Sequence, residues 1–293
     1  MNAEIHKAAE LIAQADHLLI TAGAGMSVDS GLPDYRGKEG LWNHYPVYRE
    51  LGVDYAAMTR PSGFERDPHF AWGFYGHLLN LYRKALPHEG YSAMLEIAQP
   101  FGGRAFALTS NVDGLFLKAG FSSDHLRECH GSIHRLQCIH PCQRTTWSAE
   151  GFMPEIDPAT RRLLGDLPRC PHCGSAARPA VFAFGDTKYV WESTHDQTTR
   201  YQAWKARVQN HRLVVLECGS GPTVPGLRRE GESLVRQHGG HLIRINLRDS
   251  SVIHPEDIGI AFSASEALCI IQRQIASLAS FAAPQPTHFS SIS

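Results

Sequence analysis

Two cysteine pairs constrain this chain more than any other feature: Cys138-Ile-His-Pro-Cys142 and, twenty-seven residues on, Cys170-Pro-His-Cys173. Pairs at this spacing close a tetrahedral shell of four sulfurs around one Zn2+. Such a shell leaves no position for substrate, so the metal is expected to be structural and the chemistry to lie elsewhere. His140 and His172 sit inside the two pairs and are competing ligands, but the four thiolates already complete the shell. A redox reading fits less well. Cys138 and Cys142 have three residues between them, and neither pair follows the first strand of a thioredoxin-like pattern.

The remaining composition bounds the setting. The 293 residues suffice for one large α/β domain, or for one domain with a smaller module inserted. Hydrophobic residues make up 43% and charged residues 19%, as in a globular protein. The formal net charge of −1 gives no basic excess for nucleic acid or a membrane surface. The start, MNAEIHKAAELIAQAD, lacks the apolar core of a signal peptide, and no apolar run reaches the ~20 residues of a membrane span. Seven cysteines, an odd number, argue against a disulfide framework and for a reducing, cytoplasmic setting.

Periodicity gives a coarse map. Ile5, Ala8, Ala9 and Ile12 recur at helical spacing. His17-Leu-Leu-Ile-Thr-Ala-Gly, Arg104-Ala-Phe-Ala-Leu-Thr109, Leu213-Val-Val-Leu-Glu-Cys-Gly219 and His241-Leu-Ile-Arg-Ile-Asn246 read as buried strands, and Ile258–Phe262 as one more. Phe70, Phe74, Leu78, Leu81 and Ala85 mark a helix stopped near Pro87. Ser263 and Glu266 have capping-box spacing ahead of Leu268, Ile271, Ile275 and Leu278, which predicts a last helix. The Pro- and Ser-rich segment 281–293 reads as a disordered tail. Short apolar strands alternating with helices imply a mostly parallel sheet covered on both faces, with ligands at the strands' carboxyl ends.

Thr21-Ala22-Gly23-Ala24-Gly25-Met26 follows the first strand. Glycines there suit a phosphate cradle, in which phosphate oxygens approach backbone N–H groups, and equally a plain strand-to-helix turn. Val28 stands where the dinucleotide fingerprint places its third glycine. Ser30-Gly31-Leu32-Pro33-Asp34-Tyr35-Arg36-Gly37 is too polar for a core helix, and Arg36 beside a glycine loop suits a pyrophosphate or ribose contact.

At this point the motifs resemble those of a known family. GAGMSVDSGLPDYRG is similar to the sirtuin signature GAGxSxxSGIPDFRG. In the family's order, Thr109-Ser110-Asn111-Val112-Asp113 resembles TQNID and His130-Gly131 the catalytic His-Gly. Arg178-Pro-Ala-Val181-Phe182-Ala-Phe184-Gly185-Asp186 resembles RPxVVxFGE, Gly219-Ser220-Gly221 resembles GTS, and Asn246 stands in the INxE segment. The resemblance implies an NAD-dependent protein deacylase with a structural Zn2+ and an acyl-lysine protein as substrate. It implies a Rossmann-like, doubly wound parallel sheet over 1–37, 96–130 and 181–280. A helical insert (38–95) and a zinc module (131–180) would form a small domain, with NAD and acyl-lysine entering the cleft between the two.

The resemblance also assigns roles. His130 would be the general base, because an imidazole can take a hydroxyl proton near neutral pH. Asp113 would hold the nicotinamide carboxamide, and Asn111 would order the ribose or a water. Ala22, Gly23, Ala24, Gly25, Met26, Asp34, Tyr35, Arg36 and Ser110 would line the cofactor pocket. Gly219, Ser220, Asn246 and Ala261 would meet its phosphate and adenine side. Val181, Phe182, Phe184 and Gly185 would form the acyl-lysine tunnel and a strand edge that binds peptide by strand addition. His134, with no matched role, is expected to be solvated or to stand behind the metal ligands.

Several positions depart from the family pattern. Ser110 replaces glutamine, Tyr35 phenylalanine, Gly221 serine and Arg248 glutamate; Asp186 shortens an acid; the PNxxH segment reads Pro87-His88-Glu89-Gly90-Tyr91. Members that remove acidic acyl groups carry Tyr-x-x-Arg on the insert, whereas here Tyr75 is followed at that spacing by Leu78. A neutral acyl group, acetyl before succinyl, is therefore expected. The changes at Ser110 and Tyr35 motivate an alternative on the same scaffold, NAD hydrolysis or mono-ADP-ribosyl transfer. A third reading, a module that binds NAD or its product without turnover, conflicts with the presence of His130, Asn111 and Asp113.

Overall fold

A computed structural model describes residues 2–34, 50, 59–209 and 211–282. Tyr35, Arg36 and the tail beyond 282 lie outside the described residues. Six strands form one sheet: β1 (His17–Ala22), β2 (Ala105–Thr109), β3 (Leu126–Glu128), β9 (Leu213–Cys218), β10 (His241–Ile245) and β11 (Ile258–Ile260). They stand in the order β3-β2-β1-β9-β10-β11, and every pairing is parallel. This is the doubly wound dinucleotide-fold order, in which the chain turns back at β1 and crosses to β9. All residues of β1, β2 and β9 are buried, as a sheet covered on both faces requires.

Successive side chains of β1 serve different layers. Leu18, Ile20 and Ala22 pack with α1 (Asn2–Gln14) and α8 (Ala264–Ala282), whose Ile5, Ala8, Ile12, Leu268 and Ile271 are buried. Leu19 points to the other layer, where Phe106, Tyr201, Trp204 and Leu234 close the core under α6 (Glu192–Ala206) and α7 (Gly226–His238). Neither α6 nor α7 is evident from periodicity. Within α6 only Thr194, Tyr201 and Trp204 are buried, so its sequence carries almost no apolar stripe.

The second unit is antiparallel. β4 (Gly131–Cys138) pairs on one side with β5 (Trp147–Ser148) and on the other with β8 (Ala177–Val181), which has no further strand beyond it among the described residues. β6 (Glu155–Ile156) and β7 (Leu163–Leu164) form a small ribbon. Onto this unit pack α2 (Ser62–Arg66) and α3 (Pro68–Lys84), while α4 (Glu89–Ala98) leads into β2 and α5 (Leu115–Lys118) follows it.

Polar side chains fasten α3 to the Cys-rich segment. The Trp72 indole donates to the Ala177 carbonyl (2.9 Å), Asn80 to Pro154 O (2.8 Å) and Arg83 to Phe152 O (2.7 Å). Asp67 has two tasks. It caps α3 by accepting from Phe70 N at 3.2 Å, and it takes both prongs of Arg162 at 2.7 Å. The pair is partly exposed, so most of its value lies in the cap. Asp67→Ala is expected to lower unfolding free energy by about 1–2 kcal/mol, measured as a shift in the urea midpoint.

Candidate active site at the switch point

The polar motifs converge because each lies at the carboxyl end of a parallel strand. Gly23 follows β1, Ser110 to Asp113 follow β2, His130 follows β3, Gly219 and Ser220 follow β9, Asn246 follows β10 and Ala261 follows β11. The first and fourth of these loops touch. A Cβ on Gly219, whose φ is 65°, would stand 2.1 Å from Met26 N, and one on Gly23 would stand 2.8 Å from the Ser220 Cα. Only glycine lets these backbones approach so closely.

That contact takes up part of the glycine loop's hydrogen-bonding capacity. Its N–H groups are largely engaged inside the protein: Gly23 N donates to Cys218 O at 2.9 Å, Gly25 N to Gly219 O at 3.0 Å and Met26 N to Gly23 O at 2.9 Å. The glycines serve loop-to-loop contact before they serve any phosphate. Beside the contact, the buried Ser220 hydroxyl has no hydrogen-bond partner among the described residues. A buried unpaired hydroxyl calls for a ligand oxygen or water, and a phosphate supplies the former. The chain's donors thus fit the phosphate side of a dinucleotide.

A buried network orders the loop after β2. Ser27 Oγ donates to Asp113 Oδ2 at 2.7 Å. With its single proton used there, Ser27 accepts from Asn111 Nδ2 (3.0 Å) and from the Tyr91 hydroxyl (3.2 Å). The second Asn111 amide hydrogen goes to Gly23 O at 3.0 Å. Leu115 N donates to Asp113 Oδ1 at 2.9 Å. Burial pushes the Asp113 carboxyl above its ordinary value, while these hydrogen bonds and nearby cationic groups oppose the shift.

His134 is not solvated as expected: its Nε2 lies 2.8 Å from the Asp113 carbonyl, and burial lowers its pKa. His88 also joins the site. Its Nδ1 accepts from Gly90 N at 3.0 Å, capping α4, and its Nε2 lies 2.8 Å from Met26 O. Neither role shows in a motif, because both follow from which loops meet.

His130 links the loop after β2, through Ser110, to the end of β8. Its carbonyl accepts from Phe182 N at 2.9 Å, and the two rings stand 6.3 Å apart. Gly131 has φ 74°, and a Cβ there would lie 2.2 Å from Ala180 O, so glycine is required for β4 to start against β8. Burial lowers the His130 pKa below the usual imidazole value, against a hydrogen bond to the Ser110 backbone that raises it. The shift favours the neutral imidazole, the form a base needs.

Beyond β8 the chain turns at Phe184, half exposed at 53%, and the turn is tied back by the buried ion pair of Arg178 with Asp186 (2.7 Å). The shorter acid still reaches its arginine. Phe182 packs on Trp191 with ring centroids 4.7 Å apart.

On the phosphate side, Asn246 is buried and mostly committed. It donates to Ser220 O at 2.9 Å and accepts from Arg248 N and Asp249 N, each at 3.0 Å. Its part here is to shape the loop. Arg248 reaches across to within 3.8 Å of Asp34, a contact that spans two cofactor-side loops. Ala261 is exposed one residue beyond β11.

The sulfurs of Cys138, Cys142, Cys170 and Cys173 all lie within 4.8 Å of one another, with 3.7 Å between Cys138 and Cys173 and 3.5 Å between Cys142 and Cys170. Zn–S bonds of about 2.3 Å in a tetrahedron put sulfurs about 3.8 Å apart, so the cluster fits the metal. Hydrogen bonds shared with Cys173 and Cys170 push the Cys142 thiol up to about 12, while Ser175 brings Cys173 down to about 6. Crowded thiols of this kind ionise together only around a cation. His140 and His172 are exposed and stand outside the sulfur cluster.

Fold and site together define an α/β protein of the dinucleotide-binding class, with an antiparallel four-cysteine unit set beside the switch point. The Sir2 family matches residues 23–206, and the chain belongs to that family. It is 31% identical, over 92% of its length, to an NAD-dependent protein deacylase of Thermococcus kodakarensis, 94% of which is covered. It is 32% identical over 87% of its length to a probable bifunctional ADP-ribose hydrolase/ADP-ribosyltransferase of Fusarium oxysporum f. sp. cubense, of which it spans 44%. A crystal structure of a Sir2 homologue–NAD complex superposes with a TM-score of 0.72 at 27% identity, covering 93% of this chain and 94% of the other. No described helix is long and apolar enough to cross a membrane.

One zinc per chain is expected on metal analysis of the purified protein. Cys173→Ser should bring that near zero and lower the thermal midpoint by more than about 5 °C. Wild-type protein with well under one zinc per chain would overturn the assignment.

Proposed function

We propose that the chain removes acyl groups, acetyl foremost, from protein lysines in an NAD-dependent reaction. The observation that carries this reading is the placement of His130. Its imidazole is hydrogen-bonded to the backbone of Ser110, the residue before Asn111, and its carbonyl is bonded to Phe182 N just past β8. Bound NAD would supply a ribose carbon activated by loss of nicotinamide, together with ribose hydroxyls.

The chain's own residues divide the remaining work. Ser27 and Leu115 N hold Asp113 in place, and its carboxylate is the acceptor for a carboxamide N–H. Asn111, with both amide hydrogens committed to Gly23 and Ser27, offers its carbonyl oxygen to the ribose or to a water. His130 takes the proton of a ribose hydroxyl. Ser220 and the loop shaped by Asn246 meet the phosphate side. Tyr35 and Arg36 belong to the same pocket by their place in the signature. A substrate segment adds to the β8 edge at Val181, with Phe182, Phe184 and Gly185 around the acyl-lysine stem. In domain terms, 1–37, 96–130 and 181–280 carry the cofactor, and 38–95 with 131–180 close over the peptide.

The acyl end favours a neutral group. Tyr75 is buried and donates to Thr59 O at 3.4 Å, and Leu78 is buried beside it, so neither offers a charge to an acyl carboxylate. On matched peptides deacetylation is expected to exceed desuccinylation at least tenfold in kcat/KM. Equal or faster desuccinylation would remove this part of the reading.

A second reading, NAD hydrolysis or mono-ADP-ribosyl transfer, has its own support. Ser110 is a short side chain, and with His130 it borders a cavity of about 250 Å3 that admits water or another nucleophile. The Fusarium relative's description points the same way for that protein.

Mass spectrometry of products from NAD with and without an acetyl-lysine peptide separates the two. Free lysine and O-acetyl-ADP-ribose, formed only with peptide, are expected. Nicotinamide and ADP-ribose, or a modified protein, formed without peptide would establish the second reading. His130→Ala should lower turnover at least a hundredfold. Because burial lowers the His130 pKa, the acid limb of kcat/KM should lie at lower pH than an ordinary imidazole would give, and His130→Ala should abolish that limb.

A further inference from the structure

The cavity beside His130 shares Ser110 and His130 with the reaction centre, and no glycine-loop residue is among those that line it. It lies between the carboxyl ends of β2 and β3 and helices α6 and α7, and its volume is about 250 Å3. Its walls carry Arg127, Lys205, Glu230 and Tyr201 in addition to Ser110 and His130. The motifs that identify the family do not include those four residues.

The charges in this cavity do not balance. Glu230 is committed: the Tyr201 hydroxyl donates to it at 2.6 Å and Lys205 at 2.9 Å. Burial pushes the neighbouring Cys129 thiol up to about 11, so that wall is neutral. Arg127 is left over. Its guanidinium makes no hydrogen bond or ion pair among the described residues, and its Nε is shielded from solvent without a partner. It lies over the face of Tyr201, 5.9 Å from guanidinium carbon to ring centroid, and its charge acts on Glu230 only at longer range, without a bond. Two cations and one carboxylate, the carboxylate already paired, leave one positive charge facing a small polar cavity.

We propose that this cavity binds a small anion, a carboxylate- or phosphate-bearing molecule, through the Arg127 guanidinium. The planar fork of arginine matches both groups in two parallel hydrogen bonds, and Tyr201 fixes the plane from one side. A half-buried donor set with no acceptor gains most when an acceptor arrives. The volume is below that of a drug-sized pocket, which restricts the occupant to a small molecule. Because His130 and Ser110 share the wall, an occupant sits against the reaction centre from the side opposite β8. The site stands on this geometry and does not depend on the deacylase assignment.

The test is a titration of the zinc-loaded full chain with inorganic phosphate and, separately, with succinate, at ionic strength held constant with sodium chloride. Binding is read by calorimetry and by thermal midpoint. Saturable binding of at least one anion at one site per chain is expected. Arg127→Leu should weaken it at least tenfold, and Arg127→Lys, which keeps the charge and loses the fork, should fall between. Arg229→Leu, a variant on α7 outside the cavity wall, should bind as wild type. Phosphate alone, succinate alone, or both saturating would assign the site to phosphates, to carboxylates or to either. Absence of saturable binding to wild type, or undiminished binding by the Arg127 variants, would overturn the proposal. If Arg127→Leu does not fold, Arg127→Lys carries the comparison. No NAD or peptide is present, so a failure of the deacylase reading would leave this result untouched.

Discussion

The site depends on the contact of two loops across the switch point of the sheet. β1 and β9 are neighbours whose connections leave in opposite directions, so the loops at their carboxyl ends diverge and leave a crevice. The glycine loop and the Gly219 loop close the floor of that crevice with backbone against backbone, held by the Gly25 N–H on the Gly219 carbonyl. Met26 and Ser27 take their positions from this contact, and Ser27 then sets Asn111 and Asp113. A side chain at Gly219 would push the loops apart and disperse the network.

The four-cysteine unit enters through a single residue pair. His130 ends the run from the main sheet and Gly131 begins β4, so this pair joins the parallel sheet to the antiparallel one. The left-handed φ at Gly131 lets β4 lie against β8, and the His130 carbonyl in turn accepts a hydrogen bond from Phe182, just past the end of β8. The sulfur cluster holds the far end of β4 at Cys138, with α3 locked to the same unit through Trp72 and Asp67. The cluster thereby helps fix where β8 stands relative to His130.

What could be read in advance followed the strength of the local signal. β1, β2, β9 and β10 were legible because strands buried on both faces are continuous apolar runs. The last helix was legible from its capping box and apolar period, and Ser263 does hold Glu266 N. α7 was missed although Leu227, Leu234 and Val235 are buried together, because the charged residues between them mask a short stripe. α6 was missed because it buries so little. The four sulfurs came together as their spacing required, whereas Ser27, which joins Asn111 and Asp113, stood inside the glycine-loop motif without being singled out. The partnership of His134 with the Asp113 carbonyl, and that of His88 with Met26 O, carried no local signal at all.

The sequence by itself determined the class of fold, the metal shell and the family, because strand runs, cysteine spacing and ordered motifs are local or nearly local patterns. It also determined which residue types stand at the carboxyl ends of the strands. The tertiary structure alone decided what those residues do for one another. It commits glycine-loop N–H groups to carbonyls of the protein, turns Asn246 into a loop former and leaves the Ser220 hydroxyl and the Arg127 Nε without a hydrogen-bond partner among the described residues. Hydrogen bonding and burial are set by segments far apart in the chain, and no window along the sequence contains both sides of such a contact.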